Sequence, residues 1–366
     1  MNLTMPKLDI VFTAAAQAAV SRIDQRVVLL ILRDSVLGGK SYTLLSASDI
    51  PSETSGNATV TLSETNKAQI EQCFMGYINA PAKVLLYVID DSTNAKLANA
   101  LAWAATQKFD ILCGPADVSA AECATIATWV KTQRADAGAH CVAVLPNHVG
   151  DDKAIINFAG EGLKKGSSAV TTAAYCSRIA GLLAGTPLNI SATYAPLPEL
   201  TDCTRKTTAE LDTAIAAGKL CTWYDGTRVR LARAVNSLTT TSDLVGDEMK
   251  KIKIVGIVDL IDENLRQLIT DSYIGLRANT YDNKIVLLAA IRSYLQTMED
   301  AELIDEGWSV DIDVEATKTY LRSQGVEVAK LSTQQIRESN TGTSVFYCGS
   351  IRPLDAIEDV SLTISL

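Results

Sequence analysis

Four apolar runs constrain this chain more than any other feature. VVLLIL (Val27 to Leu32), VLLYVID (Val84 to Asp90), FDILCG ending at Gly114 and CVAVLP ending at Pro146 are short and apolar throughout. Each reads as a strand buried on both faces. Helical segments separate them: a stretch around Asn66 to Tyr77, NAKLANALAWAATQ after the turn residues Asp91 and Ser92, and a helix opening with Ser119-Ala-Ala-Glu122. That last pattern is a capping box, in which a hydroxyl and a carboxylate satisfy two amides left open by the first helical turn. A small-residue helix, SAVTTAAYCSRIAGLLAG, ends at Gly185 before Thr186-Pro187. Buried strands alternating with helices predict a mostly parallel α/β sheet covered on both sides. The polar stretch SASDIPSETSGNATV reads as a loop. KLCTWYDG and VRLARAVNSLTT, joined at Asp225-Gly226, read as adjacent strands closing this domain.

The texture changes near Gly246. A long amphipathic helix is expected from Asp247 through MKKIKIVGIVDLIDENLRQLITDSYI, with a break at Gly256. NKIVLLAAIRSYLQTMEDAEL predicts a second helix, with Ile285, Leu288, Ala289, Ile291 and Leu295 near helical spacing. WSVDIDV alternates as a strand, EATKTYLRSQG is a short helix stopped by Gly325, and SVFYCGSIRP is another strand. This irregular order is α+β rather than α/β. At 366 residues, two domains are expected.

Several chemistries find no support in the residues. A net charge of −9 disfavours general nucleic-acid binding, which needs clustered Lys and Arg. The eight cysteines lack CxxC spacing and read as buried reduced thiols, which points to cytosolic synthesis. With only two histidines, His140 and His148, no metal site is expected. LGGKS (Leu37 to Ser41) lacks the glycine of GxxxxGK[ST], where Asp34 stands, and reads as a turn. There is no GxGxxG, GxSxG or HExxH. The carboxylates Asp262, Glu263, Glu299, Asp300, Glu302, Asp305 and Glu306 read as solvated helix faces. DIVFTAAAQAAV is preceded by Asp9 and interrupted by Gln17, unlike a signal peptide. No run reaches the roughly 18 apolar residues of a membrane span. The expectation is a soluble, non-enzymatic protein with no cofactor.

Two further segments alternate with period two. In LDIVFT, Leu8, Ile10 and Phe12 share one face. In DVSLTISL, Val360, Leu362, Ile364 and Leu366 oppose Ser361, Thr363 and Ser365. An isolated strand has little stability in water, and an exposed apolar edge invites aggregation. Such strands either pair within their own chain or add to the sheet of a neighbour. Donation of that kind is heterologous, so it closes a ring or propagates as a helix.

RLARAVNSLTT, MKKIKIVGIVDLIDENLRQ, DSYIGLRANTYDNKIVLLAAIRSYLQTMEDAELI and the ending SIRPLDAIEDVSLTISL resemble the C-terminal region of contractile tail sheath proteins. The opening PKLDIVFTAAAQAAVSRIDQRVVLLILRD is similar to theirs as well. The resemblance is specific over residues 227 to 366 and at the N-terminal arm, and general across the middle. These proteins form the outer tube of contractile phage tails and R-type bacteriocins. It implies an N-terminal β-arm (1–20), an α/β domain (21–243), an α+β assembly domain (244–354) and a C-terminal β-arm (355–366). Carried onto this chain, Leu8, Ile10 and Phe12 form one donated strand and Val360, Leu362, Ile364 and Leu366 another, with WSVDIDV and SVFYCGSI as acceptors. The implied partners are further copies of the chain, an inner tail tube, and baseplate and terminator proteins. Neither nucleic acid nor membrane is a partner of the sheath itself. The implied course is assembly in the bacterial cytoplasm, then service in a contracting tail that drives the tube through a cell envelope. The basic residues Lys250, Lys251 and Lys253 are expected to contact the tube. From the residues alone two other classes stay open: a closed-ring terminator or baseplate component, and an α/β metabolite enzyme using strand ends near Asp90, Gly114 and Pro146.

Overall fold

A computed structural model describes residues 24–55, 58–90, 96–242 and 245–365. They fall into two compact units. One holds the chain as far as Gly256 and resumes at Asp355; the other is Ile257–Leu354.

In the first unit the apolar runs become strands β1 (Val27–Arg33), β2 (Ser41–Leu44), β3 (Lys83–Ile89), β4 (Ile111–Cys113), β5 (Val142–Pro146), β6 (Ile155–Phe158) and β7 (Lys219–Leu220). They form one sheet in the order β7-β6-β5-β4-β1-β3-β2. All neighbours are parallel except β2, an edge strand antiparallel to β3 with Ser41 opposite Tyr87. Helices α1 (Glu64–Phe74), α2 (Lys96–Ala104), α3 (Ala120–Asp136), α4 (Thr172–Ala184) and α5 (Thr208–Ala216) accompany it.

The central strand shows why both faces must be apolar. Val28, Leu30 and Leu32 point into a core shared with Ile70 and Cys73 of α1 and Ile179 and Leu183 of α4. Leu29 and Ile31 point the other way, against Ala100, Leu101, Ile126 and Val130 of α2 and α3. All five β1 residues are fully buried, and each such side chain contributes about 1.5–3 kcal/mol. Helix α4 lies so close to α1 that a Cβ on Gly181 would sit 1.8 Å from the Cys73 carbonyl oxygen. Only glycine permits that approach. The Ser119–Glu122 capping box forms at the start of α3: the Ser119 hydroxyl accepts from the Glu122 amide and the Glu122 carboxylate accepts from the Ser119 amide.

Four local readings are corrected. The polar stretch read as a loop contains an antiparallel pair, Ser52–Ser55 with Ala58–Thr61. KLCTWYDG is not one strand: Lys219–Leu220 joins the sheet beside β6, while Thr222–Tyr224 turns into a hairpin with Val229–Leu231. Asp225 holds that turn, with Arg230 and the Thr227 and Arg228 amides on its carboxylate, which lies well below the usual carboxylate range. The long helix does not begin at Asp247. A 3-10 turn, Asp247–Lys250, comes first, and α6 (Ile252–Ser272) then runs through Gly256 without a break. That glycine serves packing instead, since a Cβ there would lie 2.7 Å from Leu188 Cδ2. Finally, Cys348 is exposed, unlike the other seven free cysteines. Burial pushes the Cys73 thiol up to about 12, as expected for a reduced core residue.

The second unit contains most of α6, then α7 (Tyr281–Asp300), strand β8 (Ser309–Ile312), α8 (Val314–Ser323), α9 (Thr333–Glu338) and strand β9 (Tyr347–Ser350). Leu260, Leu268, Leu288, Ile291, Leu295 and Met298 are buried. Within this apolar layer the buried Asn264 amide donates to the Tyr294 hydroxyl at 3.1 Å. Leu321, Val328 and Ile336 form a smaller cluster under α8 and α9.

Candidate assembly site

WSVDIDV and SVFYCGSI pair with each other. Ser309 to Ile312 lie antiparallel to Ser350 to Tyr347, and among the described residues this sheet has two strands only. Its ladder is extended at one end by Asp313 N–H to Phe346 O, 2.9 Å, and at the other by Asp305 N–H to Arg352 O, 2.8 Å. Val310 and Ile312 face inward, while Cys348, Gly349 and Ser350 are exposed. A two-stranded sheet is marginal by itself, and polar ties supplement it here. Arg337 grips Asp311 through two nitrogens at 2.8 and 2.5 Å, Arg292 donates to the Val310 carbonyl, and the Tyr347 hydroxyl donates to the Lys284 carbonyl. Each strand keeps one edge without a described partner strand.

The C-terminal segment lies with the first unit and has two parts. Residues 355–359 are held by charge. The Glu358 side chain, 4% exposed, takes Arg233 Nε at 3.1 Å and Lys251 Nζ on one oxygen. Its other oxygen takes the Thr193 hydroxyl at 2.5 Å and lies 3.1 Å from Ser191 Oγ. Asp355 reaches Lys251 at 3.0 Å and Asp359 reaches Arg233 at 2.6 Å. Asp359, with Glu358 behind it, raises the already high pKa of Arg233. From Val360 the backbone is in no strand, and Val360, Leu362 and Ile364 are 82%, 78% and 73% exposed. Leu8, Ile10, Phe12 and Leu366, the other residues of the expected donated strands, lie outside the described residues.

The three lysines face three ways. Lys250, in the 3-10 turn, pairs with the exposed Asp247 at 2.6 Å. Lys251 is committed to Glu358 and Asp355. Lys253 is buried, its ammonium donating to the Asn189 carbonyl at 3.0 Å. The switch from 3-10 to α geometry at Lys251 rotates these neighbours apart, so they form no common basic face.

Sequence profiles of two protein domains match this chain: the phage tail sheath protein central domain over residues 90–237 and the phage tail sheath C-terminal domain over residues 245–366. A tail sheath protein of Clostridium phage phiCD119 is 33% identical over 364 residues, covering 98% of both chains.

The chain belongs to the phage tail sheath family.

A second relative, the phage-like element PBSX protein XkdK of Bacillus subtilis, is 26% identical over 250 residues, 65% of this chain and 53% of that one. In fold, this sheath protein is similar to a sheath tail protein from Listeria innocua, with a TM-score of 0.69 at 15% identity over 95% of this chain and all of that one. It is also similar to the contracted helical sheath of the anti-feeding prophage, with a TM-score of 0.67 at 11% identity over 93% of each. The mixed α/β fold with a mostly parallel sheet is thus that of sheath proteins.

Several groups singled out for chemistry have structural partners among the described residues. Among the described residues no group of three or more His, Cys, Asp or Glu side chains could hold a metal, and no helix is long and apolar enough to cross a membrane. Asp34, at the position that mattered for a phosphate loop, is buried and accepts from the Ser63 and Val36 amides and the Asn66 side chain. It ties a loop to the start of α1. Glu299 accepts from the Trp308 indole at 2.6 Å, and Asp262 pairs with Arg266 one helical turn on. A cavity of about 450 Å³ in the second unit is lined by Tyr273, Leu287, Val345 and Tyr347. Two polar groups at its wall donate to backbone: the Asn279 amide nitrogen to the Gly342 and Ser344 carbonyls and Lys284 to the Ser339 carbonyl. Residue patterns gave no sign of the Glu358 contacts, because Ser191, Thr193, Arg233 and Lys251 are scattered along the chain.

Proposed function

We propose that this chain is the repeating subunit of a sheath that polymerises helically around an inner tail tube and contracts to drive the tube through a target envelope. One observation carries the reading: among the described residues the same polypeptide has a two-stranded sheet with free edges and an exposed, alternating C-terminal segment that pairs with no described strand. Val360 to Leu366 of one subunit would add to the β8–β9 sheet of a neighbour, and the segment bearing Leu8, Ile10 and Phe12 would do the same elsewhere. The donating and accepting surfaces differ, so the contact propagates through a lattice. About three backbone hydrogen bonds at roughly 0.5–1.5 kcal/mol each, with burial of the four apolar side chains Val360, Leu362, Ile364 and Leu366, would give each exchange substantial strength. The cavity beside β9 offers apolar walls to an incoming strand.

The similarity to a helical sheath in a contracted state supports contraction, and similarity to a chain of the anti-feeding prophage baseplate supports a partner at the tail end. Contraction would draw on subunit contacts rather than nucleotide hydrolysis, and the chain would act as a structural element, not an enzyme. Assembly in the bacterial cytoplasm would precede its place in a tail. Of the three lysines, Lys250, whose side chain is 36% exposed beside Asp247, would be the one to contact the tube.

Negative-stain electron microscopy of the full chain beside a chain ending at Asp359 tests this reading. Striated tubes or partial sheaths are expected from the full chain and none from the truncation. Compact particles in both samples would overturn it.

A further inference from the structure

We infer that Glu358 is the clamp that fixes where the C-terminal arm leaves its own subunit; the role rests on the sheath reading, whereas the clamp itself does not. The carboxylate is almost wholly buried, although Ile357 beside it is 90% exposed and Val360 82% exposed. No large apolar side chain anchors this part of the chain. What holds it is one carboxylate met by the Ser191 and Thr193 hydroxyls, Arg233 and Lys251, from three separate segments.

The socket is organised around that carboxylate. Thr193 Oγ1 accepts from the Ala234 amide at 3.0 Å, which leaves its proton for Glu358. The Val235–Lys251 bridge sets the Lys251 backbone beside Arg233. Two cations and two hydroxyls are enough to satisfy a desolvated carboxylate, whereas a neutral side chain would leave Arg233 and Lys251 without their shared partner. Asp355 and Asp359 then close on the same two cations from either side.

The consequence is mechanical. With the clamp closed, only residues from Val360 onward can be handed to a second copy. Opening it frees residues 355–359 as well, adding about 16 Å of extended reach. Neighbours that slide past one another while joined by the arm need a defined tether length, and this carboxylate sets it.

A nitroxide on Ile357→Cys, in a Cys348→Ser background that leaves only buried thiols, reads the clamp in the unassembled full-length chain. The same label on Leu362→Cys provides the free-arm reference. The label at 357 should be motionally restricted with Glu358 present, and Glu358→Ala should convert its spectrum to that of the label at 362. Arg233→Ala with Lys251→Ala, which leaves Glu358 in place, should do the same. A spectrum at 357 that is unchanged by both variants, whether restricted or mobile, would overturn the clamp. Because no assembly is involved, this result is independent of whether the chain ending at Asp359 forms sheaths.

Discussion

The two sheets of this molecule are built on opposite plans. The seven-stranded sheet is complete: its central strands are buried on both faces by helices of the same unit, and the cores on both sides are built mostly of apolar side chains. Among the described residues the two-stranded sheet is unfinished, with an exposed β9 and with arginine, tyrosine and carboxylate ties supplementing its ladder. Completeness makes a fold that stands alone. On the proposed function, incompleteness would make a surface that is stable enough to form yet better off with a neighbour's strand added.

That contrast is broken most severely at β1. Leu30→Asp would bury an unpaired carboxylate at the centre of the complete sheet, a change of more than about 4–5 kcal/mol. Set against a typical domain stability of roughly 5–15 kcal/mol, it should leave little soluble protein. Soluble, cooperatively melting Leu30→Asp would mean that this sheet is less self-sufficient than its burial implies. Leu362→Asp with Ile364→Asp should have the opposite profile. Both side chains are exposed, so unfolding of the isolated chain should move by no more than about 0.5 kcal/mol. Sheath formation, read by sedimentation, should be lost. A double variant that assembles normally would sink strand donation from this arm. The exposed Cys348 on β9 sharpens the same test, since it should react with a thiol reagent in the free chain and be protected in sheaths.

A smaller change probes local rather than global design. Ser119→Ala removes the hydroxyl half of the α3 capping box and should cost about 1 kcal/mol, within a range of roughly 0.5–2. Chemical denaturation of the two proteins measures it, and no change would show that Glu122, which also pairs with Arg33 at 2.6 Å, suffices alone.

The legible parts of this chain are those fixed by local pattern. β1, β3, β4 and β5 show as uninterrupted apolar runs because both their faces are covered, and the Ser119 box shows because its two members are three residues apart. Strand β6 escaped because IINF is only four residues, one of them the polar Asn157, and its strand state comes from pairing with β5. Helix α5 escaped although Thr207 and Glu210 form a capping box, because little of it is buried. The Glu358 socket was invisible for a deeper reason: its members lie up to 167 positions apart, and no period or motif links them. Lys250, Lys251 and Lys253 are legible as a cluster in the sequence, but not their separate partners: Asp247, Glu358 with Asp355, and the Asn189 carbonyl. The arm's alternation is legible in the sequence, but from Val360 the described backbone is in no strand, and whether such a segment finds a partner is a tertiary fact.

The smallest effect expected concerns the polar ties of the unfinished sheet. Asp311 lies opposite Cys348 in the ladder, and the Arg337 guanidinium holds its carboxyl below the usual carboxylate value. A carboxylate whose folded pKa is depressed stabilises the fold at pH above its unfolded value, about 3.9, and that contribution is lost as pH falls through the folded pKa. Because the Asp311 side chain is 45% exposed, solvent screening keeps the contribution below about 1 kcal/mol. Asp311→Asn should therefore unfold slightly more easily than the parent chain in urea at neutral pH. The gap should close once the pH is low enough to protonate Asp311 in the folded state. A gap that persists there would assign the loss to packing around Arg337 rather than to charge, and the unfinished sheet would then be held by shape more than by its ion pair.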